Sequence, residues 1–513
     1  LQVDGVEAFS EAFHNLLDQV DAKRNVLATG VIKRQTIAIG TYQQEVQRVI
    51  QELEAHHTNT RIWEHDGTVW KDHPAIVSKI QNRLGWLDVF ETIDLPRLKT
   101  LQESAKNGVF DHVVLLGMGG SSLAPEVLSQ TFGEQEGYPR LHMLDSTDPT
   151  YIHELENAID LQRSLFIVSS KSGGTIETAS FFKYFYEKTG QSGAQFIAIT
   201  DGGTQLEAEA REKGFRDVFV NPSDIGDRYS ALSYFGMVPA ALIGLDLDAL
   251  WSSATQMAKA CGKQISGSDH PGLTLGTVMG VLGLDGRDKV SVFTSPSIET
   301  LGNWIEQLIA ESTGKEGKGL LPVVGATIGM PHDYATDRLF VILRVDGDDN
   351  EALDEGVKML LQAGQPCVKI TLPDKAAVGG EFLRWEYATA IAGRLLNINP
   401  FDEPNVTESK ENTARLLAYF KENGALPATE PILSANGVSL YADPATTTML
   451  RDTAQQQHYD PDLDGLLATL INNTHAGDYF AMLAYLPMKP EIEAALSDIR
   501  RRIRHVTRRA TTV

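Results

Sequence analysis

Cysteine is nearly absent. The 513-residue chain holds only Cys261 and Cys367, with no spacing typical of a metal site. A disulfide scaffold is therefore excluded, a reducing compartment is expected, and both thiols read as ordinary core residues. Positive charge is also scarce: 45 Lys and Arg stand against 68 Asp and Glu, a net charge of −23. That balance argues against nucleic-acid binding, which needs concentrated Lys and Arg. It also disfavours anionic ligands unless a focused pocket of backbone N–H groups overrides the field. No window approaches the roughly 20 uninterrupted apolar residues of a membrane helix. The opening segment, LQVDGVEAFSEAFHNLL, lacks a basic start followed by an apolar run, so no signal peptide is read there. It also lacks an initiator Met, as expected of a processed chain or a piece of a longer one. A cytoplasmic location is expected. Low-complexity tracts and short repeats are absent.

The remainder is ordinary globular composition, 42% hydrophobic and 22% charged. The length predicts two or three domains. Val6, Phe9, Phe13, Leu16, Leu17 and Val20 fall on one helical face, as do Val46, Val49, Ile50 and Leu53. From residue 112 short apolar runs alternate with helical stretches: Val113–Leu116, Leu141–Leu144, Leu165–Val168, Phe196–Ile199 and Val218–Val220. A second series follows at Val290–Phe293, Leu339–Leu343 and Val368–Thr371, after a helical stretch holding the glycine-rich segment Gly267–Gly286. Alternation of this kind predicts βα units around parallel sheets, here two doubly wound α/β domains in tandem. Beyond about residue 425 the text becomes mixed and polar, recovering a helix at 489–508 on the face of Ile492, Leu496, Ile499 and Ile503.

Two turns carry chemistry. Val113–Leu116 runs into Gly117-Met118-Gly119-Gly120-Ser121-Ser122 and then a helix. Glycines let the backbone approach a ligand, a helix start offers free N–H groups, and serines add donors. A dinucleotide turn or a plain tight connection remains open for this motif alone. Leu165–Val168 leads into Ser169-Ser170-Lys171-Ser172-Gly173-Gly174-Thr175, again strand, hydroxyl-rich turn and helix. Neither turn has nucleoside-triphosphate loop spacing, and a sugar phosphate fits the pair better than a dinucleotide; a purely structural pair of turns stays open.

GMGGSSLAPE and SSKSGGTIET resemble the sugar-isomerase domain of glucose-6-phosphate isomerases. The resemblance implies two tandem sugar-isomerase domains with helical N-terminal and C-terminal extensions. It implies that Gly120, Ser121, Ser170, Lys171, Ser172 and Thr175 hold the substrate phosphate. The expected divisions are a helical remnant at 1–55, α/β domains at 56–265 and 266–425, and an extension at 426–513.

Three further segments extend the resemblance. Gly226-Asp227-Arg228-Tyr229-Ser230 is similar to the family's Gly-Gly-Arg-Tyr-Ser signature, which implies that Arg228 steadies an enediolate. Read without the family, Arg228 is a surface ion-pair partner. Leu301, Trp304, Ile305, Leu308 and Ile309 make one helical face, with Glu311 near its end and Gly314 as the stop. Glu311 alone reads as a solvated charge. The match of Glu311-Ser312-Thr313-Gly314-Lys315 to the family's Glu-Ser-x-Gly-Lys motif makes it the general base. Asn399-Pro400-Phe401-Asp402 resembles the Asn-Pro-Phe-Asp-Gln signature, and Lys410 falls at the spacing of its lysine. Lys410 or His332, in Pro331-His332-Asp333, would open the ring, unless they are an exposed lysine and a structural histidine.

The implied activity is the interconversion of glucose 6-phosphate and fructose 6-phosphate, with no metal and no cofactor. An isomerase for mannose 6-phosphate and a non-catalytic sugar-phosphate sensor are the alternatives. The first residues resemble the last helix of a transaldolase, and the C-terminal text resembles bifunctional transaldolase–isomerase proteins. A covalently joined transaldolase in the full protein follows, without that activity in this chain. The sequence also allows a homodimer. The basic cluster Arg500–Arg509 reads as a solvated helix face rather than a phosphate site.

Overall fold

The computed structural model describes residues 30–106, 108–487 and 489–513, with Phe13, Val20, Arg24 and Leu27. The rest of the expected N-terminal helix, including Val6, Phe9, Leu16 and Leu17, lies outside the described residues. So does most of the transaldolase-like segment. Ten strands form two sheets: β1 (Gln35–Ala38), β2 (His112–Leu116), β3 (Arg140–Leu144), β4 (Ser164–Ser169), β5 (Phe196–Asp201), β6 (Asp217–Asn221), β7 (Lys289–Thr294), β8 (Leu321–Val323), β9 (Arg338–Val345) and β10 (Cys367–Leu372).

The first sheet has the order β3-β2-β4-β5-β6, and every pairing in it is parallel. Its inner strands are near-continuous apolar runs because both faces are covered. Along β2, Val113 and Leu115 join one core and Val114 and Leu116 another, as a period of two requires. The chain goes from β2 outward to β3, then returns to place β4 on the other side of β2. That reversal is a topological switch point, where ligands of open α/β sheets bind. The turns after β2 and β4 both leave from it.

The second sheet has the order β1-β10-β9-β7-β8. Four strands are parallel, and β1 adds antiparallel to β10 at one edge. The segment expected as a helical remnant therefore also supplies an edge strand. The short β8 at the other edge contains Pro322, which an edge tolerates because no ladder donor is needed there.

Helix Pro271–Leu284 packs on helix Val378–Leu395. A Cβ on Gly276 would sit 2.3 Å from the Ala388 carbonyl oxygen, and one on Gly272 would sit 2.9 Å from the Tyr387 Cβ. The glycines of this segment thus serve close helix–helix approach. Both cysteines are buried and free. No helix among the described residues is long and apolar enough to cross a membrane.

The chain divides into two compact units. One holds the two five-stranded sheets; the other comprises Gly329–Asp337, Glu403–Ala484 and Lys489–Val513. The second unit contains helices Pro404–Asn423, Pro444–Gln456, Leu463–Asn472 and Pro490–Thr507, with a small core at Leu450, Ala454 and Leu466. Its basic helix departs from the expected solvated face. Arg500 and Arg504 are buried; Arg500 donates to the Thr511 carbonyl at 2.9 Å, and the Arg504 guanidinium lies over the Tyr334 ring. Long arginine stems can be buried when the guanidinium finds partners.

Candidate active site

The first turn closes as a short helical turn, Gly119–Ser121, ahead of helix Leu123–Phe132. Gly119 has a φ of +58°, a conformation that suits glycine, and a Cβ there would stand 2.7 Å from the Gln307 Nε2. The second turn leads into helix Ile176–Lys188, where the Thr175 hydroxyl meets that of Ser170 at 3.0 Å. The two turns are tied together: the buried Ser169 hydroxyl donates to the Ser121 carbonyl at 3.1 Å. Hydroxyls and an open helix start thus gather at the switch point, the arrangement a phosphate needs.

The donors of the two turns differ in their partners. The Gly120 amide donates to Asp227 Oδ2 at 3.1 Å, and the Ser121 hydroxyl donates to Asp227 Oδ1 at 3.3 Å. The expected open anion cradle at the first turn is therefore filled by a carboxylate of the chain itself. Asp227 stands at the second position of the Gly-Asp-Arg-Tyr-Ser run, where the signature it resembles has glycine and no side chain to turn inward. In the second turn, Lys171 reaches Asp201 at 2.5 Å and the Ser223 carbonyl at 3.1 Å, so its ammonium is drawn sideways along the sheet end. Ser172 is exposed and accepts from the Gly174 amide at 3.3 Å.

Glu311 arrives on helix Leu301–Thr313, whose apolar face buries Leu301, Trp304, Ile305, Leu308 and Ile309. The opposite face presents Gln307 and Glu311 one helical turn apart, and Gln307 Nε2 donates to Glu311 Oε1 at 2.9 Å. Arg228 lies 3.3 Å from the other carboxylate oxygen, Oε2. The Glu311 side chain keeps 30% exposure while Arg228 keeps 3%, so the carboxylate is reachable and its cation is not.

Arg228 also binds a hydroxyl and two backbone carbonyls. Its Nε donates to the Ser312 hydroxyl at 2.8 Å, and one terminal nitrogen donates to the carbonyls of Pro400 and Asp402, each at 2.8 Å. It clasps three segments around Glu311. Lys315 closes the clasp from the same helix end, donating to the Asp402 carbonyl at 2.6 Å and to its carboxylate at 2.7 Å. The Asn399-Pro400-Phe401-Asp402 run is shaped for this contact, since the Asn399 side chain accepts from the Phe401 amide at 3.0 Å and turns the chain.

Asp227 carries a shifted acidity. Burial is the main cause, the neighbouring Glu311 carboxylate adds to it, and the Gly120 amide, Lys171 and Arg228 oppose; the carboxyl is pushed up to about 6.

The structure thus brings Gly120, Ser121, Arg228 and Glu311 into one constellation, with Ser170, Lys171, Ser172 and Thr175 on the adjoining turn. His332 and Lys410 belong to the second unit. Lys410 is exposed on helix Pro404–Asn423. The exposed His332 sits in the turn Pro331–Asp333, with Nε2 3.7 Å from Asp333 Oδ1; the same oxygen meets His505 Nδ1 at 2.8 Å. Sequence reasoning did not single out Gln307, Ser312, Lys315, Asp402 or Asp227 as members of the site. Gln307 had a signal, since it stands four residues before Glu311 on the same helix face.

A family model described as Phosphoglucose isomerase matches residues 29–318. A protein of Methanococcus maripaludis named probable glucose-6-phosphate isomerase is 32% identical over 385 residues, covering 67% of this chain and 86% of that one. The glucose-6-phosphate isomerase of Symbiobacterium thermophilum is 29% identical over 391 residues, covering 65% and 86%. Among solved structures, a hypothetical protein of Thermus thermophilus superposes with a TM-score of 0.63 at 24% identity, over 75% of this chain and all of its own (100%). A glucose-6-phosphate isomerase of Chlamydia trachomatis does so with a TM-score of 0.52 at 18% identity, over 79% and 85%. These two likenesses concern the fold. With a reachable carboxylate clasped by arginine beside two glycine–hydroxyl turns, and with the matched family and relatives, the chain belongs to the phosphoglucose isomerase family.

Proposed function

We propose that this chain interconverts glucose 6-phosphate and fructose 6-phosphate through a cis-enediolate, with Glu311 as the base. The observation that carries the reading is the Glu311 carboxylate, oriented by Gln307 and Arg228 and open to solvent beside the first turn. Ser170, Lys171, Ser172 and Thr175 anchor the phosphate at the start of helix Ile176–Lys188, with Gly120 and Ser121 on the adjoining turn. Glu311 takes the hydrogen from C2 and returns it to C1. Arg228, fixed and dry, supplies positive charge next to the reacting carbons and holds the base in place. His332 or Lys410 is assigned the ring-opening proton transfer. Because a proton moves between neighbouring carbons, the step itself calls for neither a hydride carrier nor an electron carrier.

The names of the relatives support the glucose 6-phosphate assignment. The resemblance of the first residues supports a covalently joined transaldolase in the full protein. A homodimer in the cytoplasm completes the proposal, and sedimentation of the full-length protein tests the dimer. Glu311→Gln tests the base. In a coupled assay turnover should fall by about 10³-fold while inorganic phosphate still binds. An unchanged rate would remove Glu311 from the chemistry. Running mannose 6-phosphate beside glucose 6-phosphate in the same assay tests the sugar.

A further inference from the structure

Aldose–ketose conversion needs more than carbon chemistry. While Glu311 moves a hydrogen from C2 to C1, another hydrogen must pass from O2 to O1. No group assigned above does this. A second carboxyl stands next to the first. Asp227 faces the first turn through the Gly120 amide and the Ser121 hydroxyl. Around Gly119, a notional Cβ would lie 3.7 Å from Asp227 Oδ2 and 2.7 Å from Gln307 Nε2, and Gln307 in turn holds Glu311. Asp227 and the Gln307 that holds the base thus both approach the first turn at Gly119.

We propose that Asp227 is the group that carries the proton between the two substrate oxygens. This rests on the isomerase reading of Glu311. The geometry suits the task, because a carboxyl presents two oxygens on one edge and a cis-enediol presents O1 and O2 side by side. The steps balance. Glu311 removes the C2 hydrogen, the electron pair becomes the C1=C2 bond, and the carbonyl pair moves onto O1. The protonated Asp227 carboxyl gives its proton to O1. Its carboxylate then takes the proton of O2–H as an O2 lone pair forms the new carbonyl. The C1=C2 pair collects hydrogen from the Glu311 carboxyl at C1. Both carboxyls end as they began.

The surroundings let Asp227 take up and release a proton near neutral pH. Facing it are Arg228 on its own segment, Lys171 on the second turn, Gln307 and Glu311 on helix Leu301–Thr313, and the amide and hydroxyl of the first turn. Burial and the Glu311 charge outweigh the two cations and the amide, and the carboxyl is pushed up to about 6. Two neighbouring carboxyls in unlike settings, one reachable and held by Arg228 and Gln307 and the other turned onto the first turn, can divide the roles of base and acid.

The test exploits the fork at the enediolate. Return to aldose needs no transfer between oxygens; passage to ketose does. Glucose 6-phosphate is incubated in D2O, and deuterium at C2 of the recovered aldose is compared with fructose 6-phosphate formed. In Asp227→Asn, ketose formation should fall by about tenfold or more while deuterium still enters the aldose, so the exchange-to-conversion ratio rises by about tenfold. A ratio equal to that of the unmodified protein would overturn the proposal, whatever happens to the overall rate. Retained binding of inorganic phosphate reports a folded site. If Asp227→Asn does not fold, Asp227→Ser is read by the same ratio. Glu311→Gln is the separate arm: there exchange and conversion must vanish together, and persistent exchange would sink the base assignment itself, not the shuttle alone.

Discussion

At the scale of single residues, the site is a set of charges held by backbone groups. Arg228 spends its donors on Ser312, Glu311 and two carbonyls, so in the proposed mechanism it positions the base as well as polarising the substrate. Arg228→Lys keeps the charge but loses the planar fork. It should lower kcat by about 10²-fold with a smaller change in KM, since a misplaced base loses reactivity before the phosphate loses its anchor. An equal loss in KM alone would make Arg228 a binding residue. Asp227 makes a pH-dependent prediction about stability. Its carboxyl is raised to about 6 from 3.8, so the folded protein keeps a proton that the unfolded chain has already released. Stability is therefore lost as pH rises from about 4 through about 6. Asp227→Asn removes that loss, so its melting temperature relative to the unmodified protein should climb between pH 4 and pH 7. A constant difference across that range would contradict a half-buried carboxyl that retains its proton on folding.

At the scale of elements, close approach decides what each can tolerate. A Cβ on Gly120 would lie 2.3 Å from the Asp227 carbonyl oxygen, a clash with backbone that no side-chain rotation relieves. Gly120→Ala should separate the first turn from the Asp227–Arg228 segment and cost most of the activity, measured as kcat/KM. Gly276→Ala meets the Ala388 carbonyl oxygen at the same 2.3 Å, far from the catalytic turns. It should destabilise by about 1–3 kcal/mol in a denaturant melt while the remaining folded protein keeps its KM.

This scale also shows what the sequence could disclose. Buried parallel strands are apolar runs, so Val113–Leu116 and Leu165–Val168 announce β2 and β4, and the glycine–hydroxyl text after each marks the ligand end. The four residues of β1 alternate between half-buried and exposed and pair with β10 from far away in the chain, leaving no local run to read. Pro322 hides β8 for a related reason, since a proline argues against a strand unless its edge position is known. The link between Asp227 and Gly120 joins residues 107 apart. Only the fold creates it, and the family signature, with glycine at that position, pointed elsewhere. Arg500 and Arg504 were legible as charge but not as burial, which depends on Thr511 and Tyr334 packing against their helix.

At the scale of the whole molecule, one continuous apolar core includes residues from both sheets, from Val113 and Leu165 to Val290 and Leu339. Two sheets sharing a core should open as a cooperative body. Hydrogen exchange should accordingly be slowest, and similar in rate, along β2, β4, β7, β9 and helix Val378–Leu395. Helix Pro404–Asn423, which buries none of its residues, should exchange orders of magnitude faster. Independent protection of the two sheets would show two folding units instead of one. The negative charge of −23 belongs to this scale too. Under the proposed function, a phosphate would be captured by local amides, hydroxyls and the start of a helix rather than by the general field.

The central claim is geometric: a sugar phosphate sits with its phosphate on the second turn and its C1–C2 edge on Glu311. The most direct measurement is a crystal structure of the chain soaked with fructose 6-phosphate or a hydroxamate mimic of the enediolate. The account predicts phosphate density within hydrogen-bond reach of Ser170 and Thr175, with the C1–C2 edge against the Glu311 carboxylate. Phosphate density away from that turn, or a sugar turned with C2 out of reach of Glu311, would contradict it.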